Sequence, residues 1–505
     1  PADMVIVIDA VDDSVVEIAL ETVDHFLSDL SVKREKKGVS YATSLESALE
    51  HLPDANLALF SIPGEYAADE MMKTLEAGLH VFSFTDNVSQ EDELRLKTYA
   101  HENGLLMMGP DCGTGIISGI PMAFTNVVKP GNIGIVGASG TGIQEVSSII
   151  DRLGGGVVHA IGTGGRDLSE AVGAITVKDA LVALENHAPT DVIVLISKPP
   201  APSVRNEIVN LLHNLSKPVV AVFIGERPEY HEQNVYLAHT LEEAARIAVD
   251  LANGKEVKAD YIEALDNHVE EILPENATVK GLYSGGTLGS EAAMLISEAL
   301  GLGEIIHEEG YVLNAHGYQV VDYGDDMYTQ GRPHPMIDPA TRIEAIKKAG
   351  AEADTGVILL DVVLGYGSHA DMAGALAPAI KEVLDKAKGE NRQLHVIASV
   401  TGTRQDPQNY DATIATLKQA GALIEDSNAK AVRLALKFKG IAFKEIEKAV
   451  KEVPVSKIEL PKPSEAVMEL LTTKPRVINI GLESFNESIG KFGGESIQYN
   501  WKPIA

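Results

Sequence analysis

The sequence has 505 residues, a net charge of −31 and 45% hydrophobic side chains. This composition excludes a wholly disordered chain, and the acidity excludes binding to nucleic acid or anionic lipid through a basic surface. At roughly 100–200 residues per domain, the length predicts about three domains. The single cysteine, Cys112, excludes an internal disulfide framework.

Nothing in the sequence suggests export or membrane insertion. No apolar run reaches the roughly 18 residues that span a bilayer. The first residues, PADMVIVIDA, lack the basic segment of a signal peptide. One thiol also fits a reducing compartment. We therefore expect a cytoplasmic protein.

Strands and helices alternate at the start of the chain, which predicts βαβ units, a parallel sheet and a Rossmann-like domain over residues 1–125. The turn after the first predicted strand is acidic at residues 9–13, so it should repel a dinucleotide pyrophosphate. The predicted strands are 4–9, 55–62, 80–84 and 105–108, and the longer predicted helices are 14–30, 66–77 and 89–103.

A second α/β unit covers residues 126–255, and residues 278–450 repeat it with insertions. Predicted strands 279–283, 357–361 and 395–399 correspond to 133–136, 192–196 and 219–223. Residues 256–277 are expected to be a linker. A proline-marked linker and C-terminal strands follow at 451–505, and we expect those strands to pack on the third domain.

Two glycine turns, each between a strand and a helix, are related by the repeat. Glu145 and Glu291 follow the turns at one constant spacing. A lone glycine turn is often only a tight connection, but a repeated one favours a site. The first N–H groups of a helix lack internal partners and attract anions. We predict that both turns face one pocket and hold an anion, with the binding residues Ser139, Gly140, Thr141, Gly285, Gly286 and Thr287.

Loops that follow predicted strands carry cationic side chains in an otherwise acidic chain. Ligands of open α/β sheets bind beyond the carboxyl ends of strands, and Arg matches carboxylate and phosphate. The alternatives are a local ion pair for Arg166, a solvated Lys198 and a domain interface for His334. Arg404, in VTGTRQDP, is the best single arginine. The candidate residues are Arg166, Lys198, Arg332, His334 and Arg404.

Signals for metals and covalent catalysis are weak. The Asp325–Asp326 pair is a candidate for Mg²⁺, although such pairs more often cap a turn. We do not expect Cys112 to be a nucleophile, because no neighbouring cation activates it. The sequence contains no HExxH, CxxC or Walker A pattern.

Eight segments resemble the FdrA family, distant relatives of succinyl-CoA synthetase, over residues 40–505. The resemblance implies a CoA-binding-type Rossmann domain at 1–125. It also implies two flavodoxin-like ligase domains, 126–255 like the synthetase α subunit and 278–450 like the β subunit. In the synthetase, the two glycine turns cradle a phosphohistidine. The segments are SIPGEYAADEM, MGPDCGTGI, GASGTGIQE, GTGGRDLSE, SKPPAPSV, SGGTLGSEAA, GDDMYTQGRPHPMIDP and VTGTRQDPQ.

The chain departs from the synthetase pattern where the phosphohistidine is made and held. The loop after strand 219–223 has no Gly-His-Ala-Gly, and neither His231 nor His239 lies in that context. Lys198 stands where the synthetase has a glutamate. The glycine-rich CoA loop is replaced by acidic residues 9–13, and no ATP-grasp domain is present. We therefore expect the bound anion to arrive on a substrate.

The FdrA resemblance implies a subunit of oxamate carbamoyltransferase in allantoin (purine) catabolism, in an oligomeric complex with two other subunits. Carbamoyl phosphate and oxamate would exchange with oxalurate and phosphate. The turns would hold phosphate, while Lys198, Arg166 or Arg404 would neutralise it. Arg332 or Arg404 would clamp oxamate, and His334 would polarise the carbonyl or manage a proton. The alternatives are an acyl-CoA synthetase or CoA transferase, and a non-catalytic scaffold. No cofactor is firmly expected, with CoA and Mg²⁺ as candidates.

Overall fold

The computed structural model describes residues 41–303, 310–444 and 446–503, together with Val16, Leu20 and Val23, which are helical. The predicted strand 4–9, the acidic turn 9–13 and the rest of the predicted helix 14–30 lie outside the described residues.

Strands and helices alternate along most of the described chain. The strands are β1 (Tyr41–Ala42), β2 (Leu57–Phe60), β3 (His80–Ser83), β4 (Met107–Met108), β5 (Thr114–Ile117), β6 (Ile120–Ala123), β7 (Ile133–Gly137), β8 (Val157–Gly162), β9 (Val192–Ser197), β10 (Val219–Phe223), β11 (His231–Glu232), β12 (Val235–Ala238), β13 (Thr278–Tyr283), β14 (Tyr311–Ala315), β15 (Tyr318–Asp322), β16 (Thr355–Val363), β17 (His395–Thr401), β18 (Leu423–Glu425), β19 (Val450–Lys451), β20 (Arg476–Ile480) and β21 (Glu495–Tyr499). The helices are α1 (Leu45–His51), α2 (Gly64–Glu76), α3 (Gln90–Glu102), α4 (Gly140–Arg152), α5 (Ile175–Asn186), α6 (Pro202–Asn214), α7 (Leu241–Ala252), α8 (Gly286–Leu300), α9 (Asp326–Thr329), α10 (Ala340–Ala351), α11 (Met372–Gly389), α12 (Tyr410–Gln419), α13 (Asn428–Phe438), α14 (Glu465–Thr472) and α15 (Phe485–Lys491).

Sheet one is parallel and contains strands from both ends of the described chain. Its order is β1-β21-β20-β2-β3-β4. The prediction that the C-terminal strands pack on the third domain is therefore wrong. The apolar residues Val477, Ile478 and Ile480 predict a buried strand, but they do not specify which sheet it joins. Here β20 is paired on both sides, with β21 and with β2.

Sheet two has the order β19-β11-β12-β10-β9-β7-β8-β5-β6. Its centre, from β12 to β8, is parallel, and the β5–β6 hairpin joins β8 antiparallel. The hairpin falls inside the predicted first domain, 1–125, but it extends this second sheet. All side chains of β9 are buried, as expected for a parallel strand covered on both faces.

Sheet three has the order β14-β15-β13-β16-β17-β18. Its run β15-β13-β16-β17-β18 matches the run β8-β7-β9-β10-β12 of sheet two strand by strand, and both runs are parallel. The repeat inferred from the sequence is thus confirmed. Strand β14, which pairs antiparallel with β15, is one of the insertions that lengthen the second copy.

Helices α4 and α8 lie between the second and third units and share one hydrophobic core. Apolar side chains of α4, such as Ile143 and Ile150, belong to the same cluster as Leu288 and Leu295 of α8. This packing fixes the two helices relative to each other, so that their N-termini meet. Among the described helices, none combines the length and apolarity that crossing a membrane requires.

Candidate functional site

A cavity of about 480 Å³ lies where loops from all three sheets meet. The loops after β2, β3, β4 and β20 form one side. The starts of α4 and α8 form another, and the segment 322–337 forms a third. The polar side chains that line it include Ser61, Thr85, Asp86, Asp111, Thr114, Ser139, Thr141, Gln144, Lys198, Ser284, Thr287, Asp322, Asp326, Thr329, Arg332 and His334.

The two glycine turns touch each other at this cavity. The hydroxyls of Ser139 and Thr287 are 2.6 Å apart, and Ser139 also caps α4 by accepting the Gly142 N–H at 2.9 Å. The predicted residues Ser139, Gly140, Thr141, Gly286 and Thr287 all line the cavity. The first amides of both helices have no intrahelical acceptor. The two turns therefore present N–H groups to one space.

The second turn is already partly occupied by a protein carboxylate. The amides of Ser284 and Gly285 each donate to Asp361 at 2.8 Å, and the fully buried Arg342 pairs with Asp361 at 3.0 Å. Gly285 is therefore a cap position rather than a cavity wall, while Gly286 faces the cavity. Sequence reasoning missed Asp361, although an aspartate at the end of a buried apolar strand was a usable signal.

Two of the predicted cations line the cavity, and Arg166 is not among its lining residues. Lys198 and Arg332 are lining residues. A side chain at Gly286 would place its Cβ 3.5 Å from the Lys198 Nζ, so this ammonium group lies beside the α8 turn. Arg166 instead pairs with the buried Glu93 at 2.9 Å and donates to the Val88 carbonyl at 2.8 Å.

The structure does not bring Arg404 to the cavity. Its side chain is 73% exposed and pairs with Asp411 at 2.9 Å. Two residues further on, Asp406 is buried and accepts hydrogen bonds from the Asn126 side chain and the Val127 amide. The loop turns Asp406 inward to join two units and leaves Arg404 in solvent. We therefore remove Arg404 from the candidate site.

His334 enters the cavity as a neutral hydrogen-bond donor. Its Nδ1 accepts the Met336 N–H at 3.2 Å, which leaves the ring proton on Nε2. Burial lowers the pKa of His334 to about 4, so the ring is uncharged near pH 7. The ring lies 6.0 Å from the Phe124 ring. Its fixed Nε2–H can donate to a substrate oxygen without a change in charge.

Carboxylates also line the cavity, so the expected convergence of cations is incomplete. Desolvation and the nearby Asp86 raise the pKa of Asp111 to about 6, even though Asp111 faces the open cavity. Desolvation likewise raises the pKa of Asp322 to about 6, and Lys198 opposes both shifts. Neither Asp111, in the segment MGPDCGTGI, nor Asp322, at the end of β15, was predicted from the sequence as a site residue.

In the Asp325–Asp326 pair, which is the sequence candidate for binding Mg²⁺, Asp325 caps a short helix. Asp325 accepts the Met327 N–H at 2.9 Å at the start of α9, while Asp326 lines the cavity. Within the described residues, no group of three His, Cys, Asp or Glu side chains is arranged to hold a metal ion. The structure therefore adds no ligand set to the sequence suggestion of Mg²⁺.

The other histidines named from the sequence, and Cys112, are buried elsewhere. His231 accepts the Leu237 N–H at 3.1 Å, and His239 lies 3.1 Å from Glu298. Neither histidine lines the cavity. Burial raises the pKa of the Cys112 thiol to about 12, which agrees with the expectation that it is not a nucleophile.

The chain is similar to one known protein over most of its length and to two family profiles over parts of it. The chain is 42% identical to the protein described as uncharacterized protein YahF of Escherichia coli K12, over 79% of each chain. The profile of the CoA-ligase family matches residues 282–438, and that of the CoA binding domain matches residues 128–225. The second match falls on sheet two, not on the region 1–125 that was expected to be of CoA-binding type.

More distant matches cover less of the chain. It is 31% identical to a succinate–CoA ligase α subunit of Archaeoglobus fulgidus over 38% of its length, and 27% identical to the malate–CoA ligase α subunit of Methylorubrum extorquens over 37%. It spans 66% and 64% of those proteins. Apo acetyl-coenzyme A synthetase 1 of Ca. Korarchaeum cryptofilum aligns with 15% identity and a TM-score of 0.33, over 79% of this chain and 89% of its own. A score this low supports no argument.

Proposed function

The chain belongs to the same family as Escherichia coli YahF, and from this premise we propose that it is an enzyme of the acyl-CoA synthetase type that binds an acyl phosphate. One observation carries the proposal. The N-termini of α4 and α8 meet through the 2.6 Å contact between Ser139 and Thr287 and open on one cavity. Four backbone amides, at Gly140, Thr141, Gly286 and Thr287, would bind the phosphate.

The absence of a suitable histidine supports an anion carried by the substrate. Among the described residues that line the cavity, His334 is the only histidine, and its Nδ1 is engaged by the Met336 amide. His231 and His239, which follow β10 in the chain, are buried and do not line the cavity. A phosphohistidine relay would need an exposed imidazole between the two helices. An acyl phosphate needs only the amides and a cation.

The chemistry that follows is acyl transfer to a thiol acceptor. The sulfur forms a bond to the acyl carbon, and the bond from that carbon to the phosphate oxygen breaks. The electron pair stays on the phosphate, which takes the thiol proton and leaves as hydrogen phosphate. Lys198 would neutralise the developing charge, and the His334 Nε2–H would stabilise the carbonyl oxygen as it becomes negative. Arg332 would hold the outer phosphate oxygens.

A second candidate is carbamoyl transfer between carbamoyl phosphate and oxamate, in a complex with two other subunits. One observation favours it. The carboxylates of Asp111 and Asp322 lie near Lys198 on the cavity wall, where they could accept the N–H groups of a carbamoyl amide. The phosphate would occupy the same amides in both candidates, which differ in the group attached to it.

Calorimetric titration of the full chain tests the shared part of the proposal. Inorganic phosphate, acetyl phosphate and carbamoyl phosphate should each bind, and Lys198→Ala should weaken all three at least tenfold. Lys462→Ala, an exposed lysine in the C-terminal linker, is the matched control. The proposal fails if none of these compounds binds. It also fails if acetyl phosphate leaves an acid-labile phosphate on a histidine of the wild-type protein but not of His334→Ala.

A further inference from the structure

We infer that the acyl group held in this cavity is apolar and carries no second carboxylate. The inference rests on the acyl phosphate proposal and specifies its substrate class. It concerns the part of the cavity beyond the two helix N-termini. A phosphate group alone would leave most of the 480 Å³ empty. A cavity of this volume falls within the range of about 300–1,000 Å³ that is typical of pockets for drug-sized ligands.

The cavity has an apolar surface that the fold leaves uncovered. Leu482 is 48% exposed and Ile337 is 42% exposed, although both are large hydrophobic side chains, and both line the cavity. Phe84, Phe124 and Met336 are further apolar side chains that line the cavity. An apolar acyl group would remove this surface from water, which is the main source of affinity for such groups. We call these five residues the apolar wall.

Sheet one positions two residues of the apolar wall, Leu482 and Phe84. Leu482 follows β20, its amide donates to the Ser61 hydroxyl at 2.8 Å, and its carbonyl accepts the Asn479 amide group at 2.9 Å. Phe84 follows β3 and contacts both Phe124 and Phe485, with ring centroids 5.3 Å apart in each pair. These contacts within the fold therefore position this part of the wall.

Charge around the apolar wall excludes acyl groups with a second carboxylate. Asp86, Asp111 and Asp326 line the same cavity, and charge repulsion from both Asp86 and Asp326 raises the pKa of Asp111. The cations Lys198 and Arg332 are assigned to the phosphate. A dicarboxylic acyl group would therefore bring a further negative charge toward carboxylates. A neutral apolar group meets no such penalty.

Stable phosphonate analogues test the inference by calorimetric titration of the full chain. The analogue of pentanoyl phosphate, 2-oxohexylphosphonate, should bind at least tenfold more tightly than 2-oxopropylphosphonate, the acetyl phosphate analogue. Each buried methylene is worth about fourfold in affinity, and three are added. The succinyl phosphate analogue, 5-phosphonolevulinate, should bind more weakly than 2-oxohexylphosphonate by a similar factor.

Variants of the apolar wall provide a second measurement. Leu482→Ala and Ile337→Ala should each reduce the preference for 2-oxohexylphosphonate by about threefold or more. The affinity for 2-oxopropylphosphonate should change little, because the shorter acyl group leaves both side chains uncovered. Ile262→Ala, at an equally exposed isoleucine outside the cavity, is the control. Thermal midpoints verify that each variant is folded.

The outcomes separate this inference from the function on which it rests. If no phosphonate and no inorganic phosphate binds, the acyl phosphate proposal itself fails. If the phosphonates bind but the succinyl or the carbamoyl analogue, phosphonoacetamide, binds most tightly, only the inference is overturned. Equal affinities for the long and short analogues would overturn it as well. A preference that survives both wall substitutions would also contradict the assignment.

Discussion

Glu145 and Glu291 each cap a helix of the unit opposite their own. They occupy equivalent positions on α4 and α8. Glu145 accepts the Asn428 amide at 3.0 Å at the start of α13, and Glu291 accepts the Leu241 amide at 2.8 Å at the start of α7. The donors, Leu241 and Asn428, are the first residues of their helices. This reciprocal exchange joins the two repeats and holds the N-termini of α4 and α8 together.

Removing either carboxylate should loosen the junction between the second and third units. Glu291→Ala leaves the buried Leu241 amide without its acceptor. The Asn428 amide group loses its 2.7 Å hydrogen bond to Glu291 and keeps the one to the Leu288 carbonyl at 2.9 Å. Buried donors without partners cost about 1–3 kcal/mol each. We expect a clearly lower thermal midpoint and weaker phosphate binding. Glu390→Ala, at an exposed carboxylate, should change neither. Intact phosphate affinity in Glu291→Ala would contradict the link between junction and site.

Arginines at the cavity and outside it should differ in their effect on phosphate affinity. Arg332→Ala should weaken binding about tenfold, because hydrogen bonds to charged groups contribute about 1.5–3 kcal/mol. Arg404→Ala should leave the affinity unchanged, since Arg404 is paired with Asp411 at the surface. Calorimetric titration with inorganic phosphate measures both. A loss on Arg404→Ala equal to that on Arg332→Ala would return Arg404 to the site.

Asp111 should destabilise the protein above about pH 6. Its pKa is raised from 3.8 to about 6 in the folded protein, chiefly by desolvation. Between these values the folded state binds more protons than the unfolded state, so stability falls as the pH rises through this window. Asp111→Asn should therefore raise the thermal midpoint at pH 8 but not at pH 3.5. Asparagine also tolerates the left-handed backbone of this residue, with φ of 54°.

The same measurement on Asp69→Asn, at an exposed aspartate on α2, provides the comparison. It should show no gain that depends on pH in this way. An equal rise in the midpoint of Asp111→Asn at both pH values would mean that the effect does not come from ionisation of Asp111.

A buried histidine pair should make the protein sensitive to acid. The Nε2 atoms of His159 and His187 are 3.4 Å apart, and burial lowers the pKa of His159 from 6.5 to about 3. Below about pH 6.5, His159 binds a proton in the unfolded state, whereas in the folded state it stays neutral until the pH approaches 3. Stability should fall as the pH drops from about 6.5 toward 3, by up to about 1.4 kcal/mol per pH unit for one such group.

Substitution of His159 isolates this contribution. His159→Asn keeps an acceptor for the Ser118 amide but cannot be protonated. Its thermal midpoint should fall less between pH 7 and pH 5 than that of the wild type. His51→Asn, at an exposed histidine on α1, should reproduce the wild-type slope. An unchanged slope in His159→Asn would exclude this pair as the source of acid sensitivity.

The repeat and the two turns could be predicted because they depend on local pattern. Buried apolar strands, glycine turns and constant spacing appear directly in the sequence, and the matching strand orders of sheets two and three confirm the repeat. Site side chains were harder to predict. Arg404 and Asp406 lie two residues apart in one motif, yet only Asp406 turns inward, because the backbone of the loop decides which side chain faces the junction.

The sequence by itself determined the α/β class, the strand–turn–helix repeats and the small set of turns at which an anion can bind, since these follow from residue type over short distances. Only the tertiary structure decided that β20 and β21 complete sheet one and bring Leu482 to the cavity. Pairing between strands more than 400 residues apart depends on backbone hydrogen bonds, which any apolar strand can form. The contribution of Leu482 to the apolar wall follows from that pairing.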